Sequence, residues 1–175
     1  MKNRYKSKRN TENLNNFQTA GNFQLHSTRC KVCERMKDGR KKWKSNKRKS
    51  RHYTCQTTFC VYLATCELCQ AQYVGQTIRT MQKRHYGHRS EVKTAADGFG
   101  EHFNMHAIQM GLNLNTQMDQ IMEHCDITII ASVEPDKPWS QMRLDTLEAD
   151  LQDRVMTLEK HGGMNRREER RRIGS

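Results

Sequence analysis

The sequence predicts an α+β domain: a small three-stranded sheet flanked by helices, with zinc-binding elements. Three observations predict it. Two short apolar runs rich in β-branched residues, CVYLAT from Cys60 and AQYVGQT ending at Thr77, stand on either side of a tight CELCQ connection. A third run, DITIIASV at 126–133, follows two helical stretches. Cysteines and histidines recur in pairs at metal-ligand spacing.

Residues 1–25, rich in Asn, Lys and Arg with isolated Phe17 and Phe23, read as a basic flexible arm or linker. Segment 26–59 is Cys/His-rich and basic. Its run KDGRKKWKSNKRKSR around Trp43 admits three readings: a solvated loop, a nuclear-import signal, or a DNA contact through Lys41, Lys42, Lys44, Lys47, Arg48 and Lys49. Domain 60–165 opens with the hairpin. Residues 78–93 then read as a helix, with Ile78, Met81, His85 and His88 at three- and four-residue spacing. Gly98 and Gly100 are expected to break the pattern before a short helix around 101–110. Pro135 and Pro138 close the third strand. Leu144, Leu147, Leu151, Val155 and Leu158 repeat at helical spacing between Gln141 and Lys160, with Gly162 and Gly163 as the expected stop. Residues 166–175 form a basic tail.

Only 34% of the 175 residues are hydrophobic and the mean hydropathy is -1.00, so the core is small for the length and bound metal would supplement it. A net charge of +12 points to a polyanionic partner, because Lys and Arg neutralise phosphates and release condensed counterions. The sequence has no apolar run of the roughly 18 residues a membrane span needs, and its first residues lack the apolar core of a secretory signal. Seven cysteines in that setting suggest a reducing compartment, where thiols bind metal or sit in cores. Cys60 and Cys125 are expected in the core.

Cys66-x-x-Cys69 and His102-x-x-x-His106 supply four zinc ligands: a turn presents both thiolates to one ion, and one helix face presents both imidazoles. The bland alternative is a reduced pair beside unrelated histidines. His26, Cys30, Cys33 and Cys55 offer a second, CCCH set, against the alternative of an arm with spare thiols.

Val61-Tyr62-Leu63 and Tyr73-Val74-Gly75, then Met81-x-x-Arg84-x-x-x-His88, Leu144-x-x-x-Glu148 and Gly163-x-Asn165, together resemble the ordered motifs of GIY-YIG endonucleases. The finer resemblance, over roughly 26–165, is to the nuclease domain of Penelope-like retroelements. That group also carries a CxxC between its tyrosine motifs, a His-Phe…His segment like His102-Phe103…His106, and upstream cysteines like Cys30, Cys33 and Cys55. Cys60 stands where the family has Gly, and Val74 where it has Ile.

The resemblance implies a metal-dependent DNA endonuclease acting in the nucleus, leaving a 3′-hydroxyl that primes reverse transcription. RNA and a reverse transcriptase, in cis or in trans, are further candidate partners. Glu148 would hold Mg²⁺ or Mn²⁺, with Glu159 as the other candidate on that helix. Arg84 can fork onto phosphate oxygens. Tyr62 and Tyr73 would orient or deprotonate water, His88 would assist proton transfer or hold a phosphate, and Asn165 would position the glutamate helix or the phosphate. The competing reading is a zinc-organised nucleic-acid-binding module without catalysis; a weaker third is an RNA-binding zinc protein.

Overall fold

A strand buried on both faces needs apolar residues at successive positions, and the run from Cys60 supplies them. In the computed structural model, which describes residues 22–23, 30–36, 52–135 and 137–166, that run becomes the central strand. The elements in order are β1 (Asn22–Phe23), α1 (Lys31–Arg35), β2 (His52–Tyr53), β3 (Cys60–Cys66), β4 (Gln72–Thr77), α2 (Met81–Thr94), α3 (Asp97–Gln109), α4 (Met118–Met122), β5 (Cys125–Ser132) and α5 (Ser140–Val155). A 3₁₀ turn at Glu159–His161 follows. The sheet order is β4-β3-β5, antiparallel throughout, and β1 pairs in parallel with β2.

Alternation along the sheet sorts side chains to two layers. Tyr62, Ala64, Tyr73 and Ile129 share the face that packs on Met81 and Val92 of α2 and on Phe99 and Phe103 of α3. Val61, Val74, Ile130 and Ala131 share the face covered by Leu144 and Leu151 of α5. Burying each of those leucines contributes about 1.5–3 kcal/mol. A bulge lies where Val61 pairs with Ala131 and Tyr62 with Ile129, leaving Ile130 as the extra residue. Bulges of this kind re-aim neighbouring side chains.

The three strands and the principal helices lie where the sequence places them, with local differences. The helix expected over 78–93 begins at Met81, because the Thr80 hydroxyl accepts the Lys83 N–H at 3.2 Å and caps it; Ile78 is exposed. Gly98 and Gly100 do not break a helix but lie inside α3, whose first turn is closed by the Gly100 N–H donating to Asp97 Oδ1 at 2.8 Å. Both glycines are close-approach residues. A Cβ on Gly98 would sit 1.8 Å from the Met164 carbonyl oxygen, and one on Gly100 would sit 2.5 Å from that of Glu91. The last helix stops at Val155, with Met156 in the left-handed region (φ 58°) as its cap, so Gly162 instead closes the 3₁₀ turn. Leu158 is buried beyond the helix end. The five-residue α4 was not expected.

Of the 1–25 arm, Asn22–Phe23 forms β1; the rest of the arm, the basic run with Lys41, Lys42, Lys44, Lys47, Arg48 and Lys49, His26, and the tail beyond Arg166 lie outside the described residues. The described part of 26–59 shares the core of the sheet: Val32, Cys33, Tyr53 and Cys55 are buried in the same cluster as Tyr62.

Candidate active site

Cross-strand register brings the two tyrosines together. Tyr62 pairs with Gly75, and Tyr73 lies two residues before that glycine, so both rings project from one face. Only glycine fits there, since a Cβ on residue 75 would lie 2.5 Å from both the Tyr62 hydroxyl and Tyr73 Cε1. The ring centroids are 6.3 Å apart. Phe99 of α3 stacks on His88 at 3.9 Å and meets Tyr73 edge-on at 5.5 Å, walling the site on the inner side.

Helix α2 supplies the polar partners. Arg84, His88 and Glu91 are spaced four and three residues apart, so they share a face. Arg84 Nε donates to the Tyr62 hydroxyl at 2.9 Å, and Arg84 Nη1 donates to Glu91 Oε1 at 2.6 Å. His88 Nε2 lies 2.6 Å from the same hydroxyl, and His88 Nδ1 lies 2.6 Å from Glu91 Oε2. The four side chains therefore form a closed ring of hydrogen bonds. Glu91 belongs to none of the motifs that the sequence resembles, although its spacing from Arg84 and His88 is readable in the sequence.

Electrostatics follow from burial and these partners. Burial pushes the Tyr62 phenol above its ordinary range, and the nearby Arg84 guanidinium only partly offsets this. Burial likewise works against the charge on Arg84, but Tyr62, Tyr73 and Glu91 outweigh it and hold the guanidinium protonated. Desolvation lowers His88 to about 4, even with a carboxylate beside it. The His88–Glu91 contact is thus a hydrogen bond from a neutral imidazole rather than an ion pair. Glu91 is itself partly desolvated, yet its bonds to His88 and Arg84 hold its carboxyl below the usual range.

Glu148 approaches from the other side of β4. One turn before it, Asp145 accepts a hydrogen bond from the Gln76 amide; one turn after it, Gln152 Nε2 donates to the Val74 carbonyl at 3.4 Å. Glu148 is therefore level with Gly75, and its charge is felt at the Tyr62 phenol. Glu159 lies past the helix end and is exposed. Asn165 is fully buried: it accepts from the Val74 N–H and donates to the Val74 carbonyl, both at 2.8 Å. Its amide thus pins the edge strand that α5 flanks.

Outside this cluster a cleft of about 340 Å³ is lined by Arg79, Lys83, Arg84, Gly87 and Gln141. Arg84 both lines the cleft and caps the Tyr62 hydroxyl. A larger depression of about 540 Å³, between Tyr53–Thr58 and Ser132–Pro135, includes none of these residues and no basic side chain.

Both cysteine groups have the chemistry of metal sites. The donor atoms of Cys66, Cys69, His102 and His106 all lie within 4.8 Å of one another, with Cys69 Sγ 3.4 Å from His102 Nε2. This set joins the end of β3 to α3. Burial and the neighbouring His106 lower His102 to about 4, leaving it a neutral imidazole fit for a cation. Cys30, Cys33 and Cys55 meet the same distance, and burial together with the other two thiols pushes Cys55 up to about 12. A bound cation would reverse that, so these residues fit zinc as well; His26, expected to complete the set, lies outside the described residues. The cysteine trio sits at the start of α2, where the Gln82 N–H donates to the Cys55 carbonyl at 2.8 Å. Cys60 and Cys125 are buried.

No family model, curated protein or solved structure matches this chain.

Proposed function

We propose that the chain is a metal-dependent DNA endonuclease of the GIY-YIG kind, which nicks DNA by phosphodiester hydrolysis and leaves a 3′-hydroxyl. One observation carries the reading: Tyr62, Tyr73, Arg84 and His88, drawn from two strands and a helix, converge beside Gly75, with Glu148 level with them on α5. A purely structural core rarely gathers two phenols, a guanidinium and an imidazole in one place, because each buried polar group must be compensated.

Hydrolysis needs an activated water, positive charge for the phosphorane, and help for the leaving oxygen. Mg²⁺ or Mn²⁺ held by Glu148 would supply Lewis acidity at a phosphate oxygen. Arg84, charged and lining the basic cleft, binds the non-bridging oxygens as negative charge builds there. A phosphate drawn to that guanidinium arrives beside the Tyr62 hydroxyl. Asn165 keeps β4 straight against α5 so that Glu148 stays opposite the tyrosines. By the same resemblance, the partners are nuclear DNA, RNA and a reverse transcriptase, with Lys41–Lys49 adding phosphate contacts.

The binding-only reading draws on a specific observation: Tyr62 is fully buried and its hydroxyl is already bonded on two sides. Supercoiled plasmid with Mg²⁺ separates the two. The nuclease relaxes it; Arg84→Ala and Glu148→Ala lower the nicking rate at least 10²-fold, in line with the loss of an electrostatic stabiliser, while gel-shift affinity of the zinc-loaded chain without added Mg²⁺ persists. Binding without relaxation by the wild-type chain, or full nicking by Glu148→Ala, sinks the enzyme.

A further inference from the structure

We propose that Glu91 is the positioning residue of this site: it fixes His88 in the Nδ1–H tautomer, so that Nε2 faces Tyr62 as a bare acceptor, and it holds Arg84 against the same phenol. The proposal deepens the nuclease reading and rests on it for its catalytic consequence.

The geometry leaves one consistent proton assignment. Glu91 has a separate partner for each oxygen, Arg84 Nη1 on one and His88 Nδ1 on the other, both at 2.6 Å. A carboxylate accepts and cannot donate, so Nδ1 carries the proton. The neutral ring then has a lone pair on Nε2, 2.6 Å from the Tyr62 oxygen, and the phenol donates into it. The same oxygen accepts from Arg84 Nε at 2.9 Å. Every donor in the ring meets an acceptor. The opposite tautomer would set two lone pairs against each other at Nδ1 and Glu91, and would leave the phenol proton without its partner in a fully buried place. His88 is enclosed and stacked on Phe99, so the ring is held in plane and its hydrogen-bond partner at Nδ1 decides which nitrogen faces Tyr62.

This arrangement gives Tyr62 a route for its proton. As a water oxygen bonds to phosphorus and the O3′–P bond breaks, the proton of that water passes to the Tyr62 oxygen and the phenolic proton passes to His88 Nε2. This step requires the buried phenol to open to the cleft on the Arg84 side. The imidazolium so formed is neutralised by Glu91, and the leaving 3′ oxygen takes a proton from solvent. Glu91 touches neither water nor phosphate in this scheme; it acts through His88 and Arg84.

Imidazole ¹⁵N shifts of the full zinc-loaded chain at neutral pH test the assignment without any variant. The expected His88 signature is a protonated Nδ1 and a bare Nε2; a protonated Nε2 overturns the proposal. Glu91→Gln removes the charge and can present an amide donor to Nδ1, so His88 shifts toward Nε2–H. For plasmid nicking, kcat then falls roughly 10²–10⁴-fold with KM unchanged, and Glu91→Asp recovers much of the loss. Glu91→Gln with wild-type kcat, or Gln and Asp variants losing activity only in step with their melting temperatures, also overturns it. A wild-type chain that shows the expected tautomer and never nicks DNA sinks the nuclease reading while upholding the role of Glu91 toward His88.

Discussion

Two histidines one turn apart on α2 are buried for different reasons. His88 is locked into the ring with Tyr62 and Glu91, whereas His85 is buried with its Nδ1 lacking a hydrogen-bond partner among the described residues. Burial, reinforced by His88 and Arg89 and opposed by Asp119, lowers His85 to about 4, as burial does His88. The sign follows directly. In the unfolded chain both take up protons as pH falls through the ordinary value near 6.5, whereas the folded chain refuses them until about 4. Stability is therefore complete above the unfolded value and is lost on acidification across that window. His85→Met removes one of the two titrating groups and its unpaired nitrogen while keeping an apolar side chain. Urea midpoints at pH 7.5 and pH 5 should show a smaller acid loss for this variant than for the wild type. Zinc ligands are common to both proteins, so the difference isolates His85; an equal loss would mean that it titrates normally. The pairing of Arg84 with His88 was legible because helix spacing is periodic. Glu91, on the same face, belongs to none of the motifs that the sequence resembles, although an acid three residues from one candidate and seven from another carries a readable signal.

Among the elements, periodicity located the strands and helices but not their ends. Caps such as Thr80 and Met156 depend on one side chain or one backbone angle, which a pattern of apolar residues does not encode. The glycines of α3 show the same gap from the tertiary side. Gly98 and Gly100 read as breakers by propensity, yet they are needed because Met164 and Glu91 backbone atoms press on them. α4 has only five residues, too few to show a period. Two substitutions on neighbouring helices turn this into a test. Gly100→Ala would put a methyl 2.5 Å from the Glu91 carbonyl oxygen, driving α3 off α2 at the residue that organises the site. A cost of about 1–3 kcal/mol is expected in chemical denaturation, as for other overpacked contacts. Gly87→Ala is chemically the same change, but its nearest neighbour is Arg84 Nη1 at 3.8 Å, so there is room. It should stabilise by up to about 1 kcal/mol through helix propensity. Opposite signs for the two would establish that packing, not propensity, chose glycine in α3.

At the scale of the whole molecule, each of the two cysteine groups lies against a different helix of the site. The CCHH set gathers donors from the end of β3 and from α3, the helix whose Phe99 walls the tyrosines; the cysteine trio gathers Cys30, Cys33 and Cys55 beside the first turn of α2, the helix that carries Arg84 and His88. Zinc at each set would add a cross-link to both helices that shape the ring, beside the apolar contacts of Met81, Val92, Phe99 and Phe103 that seat them on the sheet. Ligand spacing made the first set readable in full, while the fourth donor of the second depends on a stretch whose sequence gives no period. The two anchors predict distinct failures. Elemental analysis of purified chain should return two equivalents of zinc per chain. Cys69→Ser should release one equivalent and loosen α3, while Cys33→Ser should release the other and free the start of α2. Because the unfolded chain has no assembled site, metal binding adds to the folding free energy, so strong chelation should lower the melting temperature well beyond either variant, and added zinc should restore it. DNA affinity should respond more to Cys33→Ser, since Cys33 and Cys55 flank the lysine-rich run in the sequence, whose charges would contact phosphates. One equivalent of zinc, unchanged in Cys33→Ser, would reduce the trio to buried thiols and leave the basic run without a metal anchor.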